Sequence, residues 1–472
     1  MPSEYDLVIL GQGAAAFAAA IKADELGVKT ALVGKNRTRG ALIGGTCVNV
    51  GCVPSKRLLT VGTSHQDSLE GPFKAVRYGK SRLDFEKAIA EKDALVRKFR
   101  KQKYADVLQG LGNVDHVPGE GVFASNDEVK VGGRTIGGRK FLIATGARAS
   151  VPQVKGIEAV HYLTNEEALS LRKLPRSIIV VGGRALGLEF AQMYAHFGAE
   201  VTVLQRSERI LPEHEPEISA ALKQSLEGEG IRIQTGVRLD EVAQRGGTKL
   251  VKAAVGGTRK EFQAEQLLMA TGRAPNTDRL NASKAGVVLN DQGFVRVNGQ
   301  MQTSAPNVWA AGDVIGEPML ETIAAKEGAV AVKNAFTNEK KRIDFNEVPR
   351  AVFTSPEVAS VGLTDVQANG HGIKCACNIL PLELVPKASI IGDARGLVKL
   401  VAERTTKRIV GVHVMAPHAA DLIEEGVLAV KFKLTIDDII DTVHIFPTLS
   451  EGIKLAAQSF YRDVGRLSCC TE

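Results

Sequence analysis

The apolar pattern repeats one unit twice and then changes. Tyr5-Asp6-Leu7-Val8-Ile9-Leu10-Gly11 reads as a buried parallel strand ending in glycine. A helix-like run follows to Gly27, then a second apolar strand from Lys29 to Val33. The same order returns at Ser177–Val181 (strand), Gly182–Gly187 (turn), Leu188–Phe197 (helix) and Glu200–Leu204 (strand). Residues 81–111 mix charges with spaced apolar positions, which predicts a solvent-facing amphipathic helix. Segments 114–142 alternate strand and turn, leading into Phe141-Leu142-Ile143-Ala144-Thr145-Gly146. From about residue 346 the alternation is that of antiparallel strands, at 351–354, 359–362, 396–401 and 409–412, with helices at 417–432 and 449–459. The pattern predicts an α/β chain with two Rossmann-like dinucleotide-binding domains and a C-terminal α+β domain.

The turns carry the chemistry of the two repeats. Gly11-Gln12-Gly13-Ala14-Ala15-Ala16 is GxGxxA: Gly11 for the tight turn, Gly13 for close approach of phosphate, Ala16 for helix–strand packing. The ribose-binding acid expected about 20 residues on falls at Gly34, so the ribose needs another partner. The second turn keeps Gly182 and Gly187 but has Arg184 in the middle. That side chain either obstructs a pyrophosphate or contacts it through its guanidinium. After the second strand comes Gln205-Arg206-Ser207-Glu208-Arg209. Arginine beside a non-acidic residue suits a 2′-phosphate, so NADPH is predicted over NADH, with Arg206 as the main contact.

Length and charge exclude several classes. The 472 residues need two to four domains. Net charge is +7 with basic and acidic residues interspersed, which gives no nucleic-acid footprint. No apolar run is long enough to insert in a membrane, and the N-terminus has no basic leader, so a cytoplasmic protein is expected. The six cysteines form three close pairs, unlike a secreted disulfide framework.

The most specific stretch is Gly44-Gly45-Thr46-Cys47-Val48-Asn49-Val50-Gly51-Cys52-Val53-Pro54-Ser55-Lys56. An offset of five brings Cys47 and Cys52 to one helix face only with local adjustment. In the first turns of a helix the pair could close a small disulfide ring, and the helix N-terminus would lower the thiol pKa. Buried structural cysteines or half of a metal site are the plainer readings.

The stretch matches without a gap the GGTCxNxGCxPSK motif of the flavin-dependent disulfide reductases, which the chain resembles from Tyr5 to Cys470. The resemblance implies that Cys52 lies against an FAD ring as the charge-transfer thiolate. Cys47 is then the outer exchanging thiol, and Lys56 lies near the flavin N5 edge. It implies flavin contacts at Gly45, Thr46, Gly121, Ala144, Thr145, Gly146, Arg273, Gly312 and Asp313, a nicotinamide-side contact at Glu189, and a cofactor contact at Gly272 in the hinge that returns the chain to the flavin domain. Residues 1–150 and 272–345 would form the FAD domain, 151–271 the NADPH domain, and 346–472 a homodimerisation domain. Where the family has HxHPTxxE, this chain has His444-Ile445-Phe446-Pro447-Thr448-Leu449-Ser450-Glu451. Phe446 has no proton to give to a leaving thiol.

The tail, Leu467-Ser468-Cys469-Cys470, is similar to that of the mercuric reductase branch. The resemblance implies NADPH-driven reduction of Hg(II), presented as a thiolate complex. Cys469 and Cys470 of the partner subunit would pass the ion to Cys47 and Cys52. Tyr104 either lines this metal site, as in that branch, or is an ordinary helix-face tyrosine. Some members add an N-terminal metallochaperone-like domain, and none is expected here. Rival readings are reduction of a small disulfide or copper ion, and a metal-sequestering or redox-sensing flavoprotein without turnover. Cys375 and Cys377 alternate along a strand and are read as structural.

Overall fold

The computed structural model describes residues 4–34, 43–79, 81–466 and 468. These fall into two compact units, each built from three chain segments.

The first unit comprises Met1–Ser55, Ile89–Ser150 and Gly272–Phe345. Its parallel sheet runs in the order Val114–Pro118, Thr30–Gly34, Tyr5–Leu10, Arg134–Ile143, Val308–Ala310. The central strand pairs on both sides, Leu7 with Thr30 and with Lys140. Leu7, Val8, Ile9 and Leu10 alternate between the two faces of the sheet and are all buried, which explains their unbroken apolar run. Gly121–Phe123 and Glu128–Val131 add an antiparallel extension to the early half of Arg134–Ile143. Val8, Leu10, Phe123, Phe141, Ile143 and Val308 fill the core of this unit. Helix Ala14–Glu25 packs along helix Glu321–Phe336. The crossing is tight: a Cβ on Gly328 would stand 2.1 Å from the Ala15 carbonyl oxygen.

The second unit comprises Lys56–Ala88, Val151–Thr271 and Asn346–Glu472. It holds a parallel sheet in the order Arg232–Gln234, Glu200–Leu204, Ser177–Val181, Gln266–Met269. A three-stranded antiparallel meander spans Val237–Ala264. A five-stranded antiparallel sheet runs Arg350–Val352, Glu357–Gly362, Ile409–Ala416, Leu397–Glu403, Cys375–Pro381. Helices Ala419–Phe432 and Glu451–Gln458 close the core of the latter. Within this unit Lys399 is 1% exposed, with its ammonium 2.9 Å from Glu215, 3.0 Å from Glu217 and 3.1 Å from Asp365. A charge this deep persists only because three carboxylates surround it. Cys375 and Cys377 share one side of their strand, sulfurs 3.7 Å apart.

The helix expected over 81–111 is interrupted. Phe85–Arg100 is α-helical, Lys101–Ala105 is a π-turn, and Asp106–Gln109 resumes the α-helix. The π-turn holds Tyr104. Such bulges rotate a side chain out of α-helical register and concentrate at functional sites.

Candidate active site

A cradle forms where the first strand ends. Gly11 sits at φ +138°, and a Cβ there would lie 2.0 Å from the Ala144 carbonyl oxygen. Gly13 precedes helix Ala14–Glu25, in which Ala16 is fully buried. Gly45, at φ +64°, brings its backbone against Gly13: an added Cβ would stand 2.6 Å from Gly13 Cα. Backbone N–H groups at a helix start, with no side chains over them, suit a pyrophosphate. Beside them Thr145 Oγ1 is buried with no hydrogen-bond partner among the described residues. Asn276 Nδ2 donates to the Thr145 carbonyl at 2.9 Å and Asn276 N to Gly146 at 2.9 Å, fixing the Ala-Thr-Gly turn. These features fit an FAD, whose polar groups would meet the open donors and acceptors.

Asp313 and Arg273 face each other, Oδ2 to Nε at 3.3 Å. Burial raises the Asp313 pKa, with Arg273 opposing. Arg273 also donates to the Ala147 carbonyl and, at 3.4 Å, reaches Thr46 Oγ1. Gly312 N donates to Glu327 Oε2 at 2.7 Å, which anchors the turn that presents Asp313. Gly272, at φ +118°, lies just before Arg273. Gly121 answers to packing, since a Cβ would meet Leu10 Cδ2 at 2.6 Å. At Gly34 the place of the missing acid is filled by Gln12, whose Oε1 lies 2.2 Å from where a Cβ would be.

The two cysteines sit on two helices. Gly45–Val50 and Cys52–Leu69 are separated at Gly51, with φ −130° and ψ −116°. A Cβ on Gly51 would lie 2.9 Å from the Thr46 carbonyl oxygen and 3.2 Å from Cys47 Cα. Glycine thus permits the reversal that an offset of five requires. Cys47 and Cys52 are not joined in a disulfide. One ligand atom from each of Cys47, Cys52 and Glu321 lies within 4.8 Å of the other two. Cys47 Sγ donates to Glu321 Oε2 at 2.7 Å, and the Tyr104 hydroxyl to Glu321 Oε1 at 3.4 Å. A cavity of about 420 Å³ opens beside Cys47, lined by Phe17, Ile21, Val53, Tyr104 and Glu321.

The helix start does not lower the Cys47 pKa as expected. The adjacent Cys52 sulfur, burial and Glu321 all push it up, so a proton stays on the reduced pair. Burial and Glu321 likewise keep Tyr104 protonated, a hydrogen-bond donor. Its ring is clamped by Phe17, edge-on at 4.9 Å, and by the bare Gly44 backbone. Nothing in the sequence marks Glu321: it carries no motif and lies 274 residues from Cys47 along the chain.

The second turn repeats the cradle in the other unit. A Cβ on Gly182 would lie 2.1 Å from the Ala270 carbonyl oxygen, and one on Gly187 would lie 1.9 Å from that of Gly182. Arg184 has φ −97°, which suits any residue, and its exposed side chain lies 3.6 Å from Glu213. Gln205 Oε1 accepts from Gly183 N at 2.9 Å. Arg209 is committed to the Pro212 and His214 carbonyls at 2.8 and 3.1 Å, whereas Arg206 is exposed at the strand exit. Lys56 Nζ meets Glu189 Oε2 at 2.7 Å and lies 4.5 Å from the Phe353 ring centroid.

His444 is engaged on both ring nitrogens, Nε2 with Glu425 at 2.8 Å and Nδ1 with the Thr442 carbonyl at 2.9 Å. Phe446 is exposed, and Glu451 Oε2 accepts from Thr448 N at 3.2 Å. Cys469 and Cys470 lie outside the described residues.

A family model described as pyridine nucleotide-disulphide oxidoreductase matches residues 5–328, and the dimerisation-domain model of the same name matches 348–457. The mercuric reductase of Lysinibacillus sphaericus is 42% identical over 466 residues, spanning 99% of this chain and 84% of the relative. That of Streptomyces lividans is 39% identical, spanning 99% and 98%. The dihydrolipoyl dehydrogenase of Thermus scotoductus is 37% identical, spanning 97% and 98%. Among solved structures, the HOCl-induced flavoprotein disulfide reductase RclA of Escherichia coli superposes with a TM-score of 0.86 at 27% identity. That match covers 97% of this chain and 100% of RclA.

Proposed function

The chain belongs to the pyridine nucleotide-disulphide oxidoreductase family, and from that premise we propose that it is an NADPH-dependent flavoenzyme reducing Hg(II) to Hg(0). The balance is NADPH + Hg²⁺ → NADP⁺ + Hg⁰ + H⁺. The observation that carries this reading is the Cys47/Cys52 thiol pair facing a carboxylate at an open cavity. Paired thiolates select a soft cation, and a carboxylate beside them attracts positive charge.

FAD, when bound, supplies the two-electron relay between NADPH and the thiol pair. Gly11, Gly13, Gly45, Thr145, Arg273 and Asp313 would hold it. Ala16, Thr46, Ala144, Gly146 and Gly312 shape that cradle, and Gly121 supports it through its close packing on Leu10. Gly182, Gly187, Glu189 and Arg206 would serve the NADPH side, with Lys56 paired to Glu189, and Gly272 would serve cofactor binding beside Arg273. Cys47 and Cys52 take the ion by giving up their protons to solvent, while Phe17, Ile21 and Val53 keep an apolar wall around it. Disulfide substrates are disfavoured, because a leaving thiol needs an acid at the place Phe446 occupies.

In this reading residues 1–150 and 272–345 form the FAD domain, 151–271 the NADPH domain, and 346–472 the dimerisation domain. Homodimerisation draws support from Val443, Ile445 and Phe446, which are 90%, 78% and 51% exposed in one chain. Apolar surface of that extent calls for a cover. The tail cysteines Cys469 and Cys470 of the partner subunit would hand over Hg(II) as a thiolate complex by exchange. A cytoplasmic location follows from the demand for NADPH and reduced thiols. Among the described residues no helix is long and apolar enough to cross a membrane.

The test is Hg(II)-dependent oxidation of NADPH by the purified protein, with mercury recovered as vapour. Turnover undiminished by Cys52→Ala refutes the mechanism.

A further inference from the structure

Glu321 makes the thiol pair a three-donor site. It opens helix Glu321–Phe336, and its two oxygens are divided between two tasks. Oε1 receives the Tyr104 hydroxyl at 3.4 Å, and Oε2 faces Cys47 Sγ at 2.7 Å. A ligating carboxylate is normally steadied through its second oxygen in this manner. Tyr104 is itself steadied by the Phe17 ring and by Gly44, where a Cβ would crowd the phenol at 3.0 Å.

The spacing suits a particular class of ion. Tetrahedral zinc has bonds of about 2.3 Å to sulfur and about 2.0–2.2 Å to oxygen, which puts neighbouring donors roughly 3.4–3.8 Å apart. The donors of Cys47, Cys52 and Glu321 lie within 4.8 Å of one another, with Cys47 Sγ 2.7 Å from Glu321 Oε2, so seating such an ion opens the Cys47–Glu321 pair by about 1 Å and draws in any wider pair by about 1 Å. A soft ion is satisfied by two thiolates in line, whereas a borderline ion gains from a hard oxygen donor and keeps water as its fourth ligand.

We propose that, in the reduced protein, Cys47, Cys52 and Glu321 form an S2O site for a borderline divalent cation of the Zn(II) class. It rests on the reading of Cys47 and Cys52 as the working dithiol. Binding displaces one proton from each thiol to solvent and transfers no electrons. The ion is a dead-end occupant competing with the substrate cation, and Glu321 sets how well it competes.

The experiment uses the NADPH-reduced, FAD-loaded protein without oxygen. Free Zn(II) is set by a chelator buffer, and alkylation of Cys47 by iodoacetamide is followed by peptide mass spectrometry. Zn(II) protects Cys47 in the parent protein, and Glu321→Gln raises the half-protecting Zn(II) concentration at least about tenfold, a change of about 1.4 kcal/mol. Glu321→Asp, which keeps the charge but withdraws the oxygen by one methylene, falls between the two. Equal half-protection in the parent and Glu321→Gln overturns the proposal, as does absence of protection in the parent. Both variants are checked by the absorbance of bound flavin. Hg(II)-dependent NADPH oxidation by the parent protein is read separately, so failure of the Zn(II) site and failure of the mercury reading are distinct results.

Discussion

Lys56 Nζ stands 2.7 Å from Glu189 Oε2, and the glutamate is the deeper member, with its side chain 6% exposed against 32% for the lysine. Glu189 Oε1 also accepts from Phe353 N at 3.0 Å. Removing the lysine strands a buried carboxylate on one hydrogen bond. Lys56→Met should therefore cost about 1–3 kcal/mol, below the full penalty of a wholly buried pair because the lysine is partly wet. Lys56→Met with Glu189→Gln should recover most of that loss, since no charge remains buried. A double-mutant cycle by chemical denaturation checks it, and additive losses would show that the pair is not coupled.

Gly45 and Gly13 lie back to back in the proposed flavin cradle. Gly45→Ala puts a methyl 2.6 Å from Gly13 Cα at a residue with φ +64°. No flexible side chain is available to move aside, so the two backbones must separate. The expected result is protein purified with less than about a tenth of the parent flavin content, equivalent to at least about 1.4 kcal/mol in affinity. Gly27→Ala is the control: it has a positive φ of 67° but nothing within 4 Å, so it should keep its flavin.

The first strand, its glycine turn and the cysteine stretch were legible because each depends on neighbours in sequence. The strand Ser177–Val181 and the strand Glu200–Leu204 stand where the apolar pattern put them. The break at Gly51 was not legible. Glycine permits it, because a Cβ there would stand 2.9 Å from the Thr46 carbonyl oxygen, a proximity that exists only once the chain has turned. Glu321 was invisible for the same reason, since helix Glu321–Phe336 reaches Cys47 through its packing on Ala14–Glu25. The raised thiol pKa is not legible either, because the second sulfur and the carboxylate that outweigh the helix terminus come together only in the fold. Gln12, between two diagnostic glycines, gave no sign that it would fill the space at Gly34.

Arg206 and Arg209 look equivalent in sequence, but Arg209 is spent on two backbone carbonyls. Cofactor choice should therefore follow Arg206. Arg206→Glu places like charge against a 2′-phosphate and should raise KM for NADPH about 10- to 100-fold, or roughly 1.4–2.7 kcal/mol, with little change for NADH. Steady-state kinetics with both nucleotides decides this. Equal effects on the two would remove Arg206 from 2′-phosphate recognition.

Glu327 is 1% exposed and holds the Gly312 amide at 2.7 Å. Burial, with Asp313 adding to it, raises its pKa from 4.5 to about 7. A carboxyl raised in the folded state binds its proton more tightly there than in the unfolded chain. Its stabilising contribution is complete below about pH 4.5 and declines as pH rises to about 7, by roughly 3 kcal/mol at most. Glu327→Gln keeps an acceptor for Gly312 N and removes the titration. The variant should match the parent in thermal midpoint near pH 4.5 and exceed it by several degrees near pH 8. Parallel midpoint curves for the two proteins across that range would mean that Glu327 stays ionised in the fold and that its burial is offset by contacts other than the Gly312 amide.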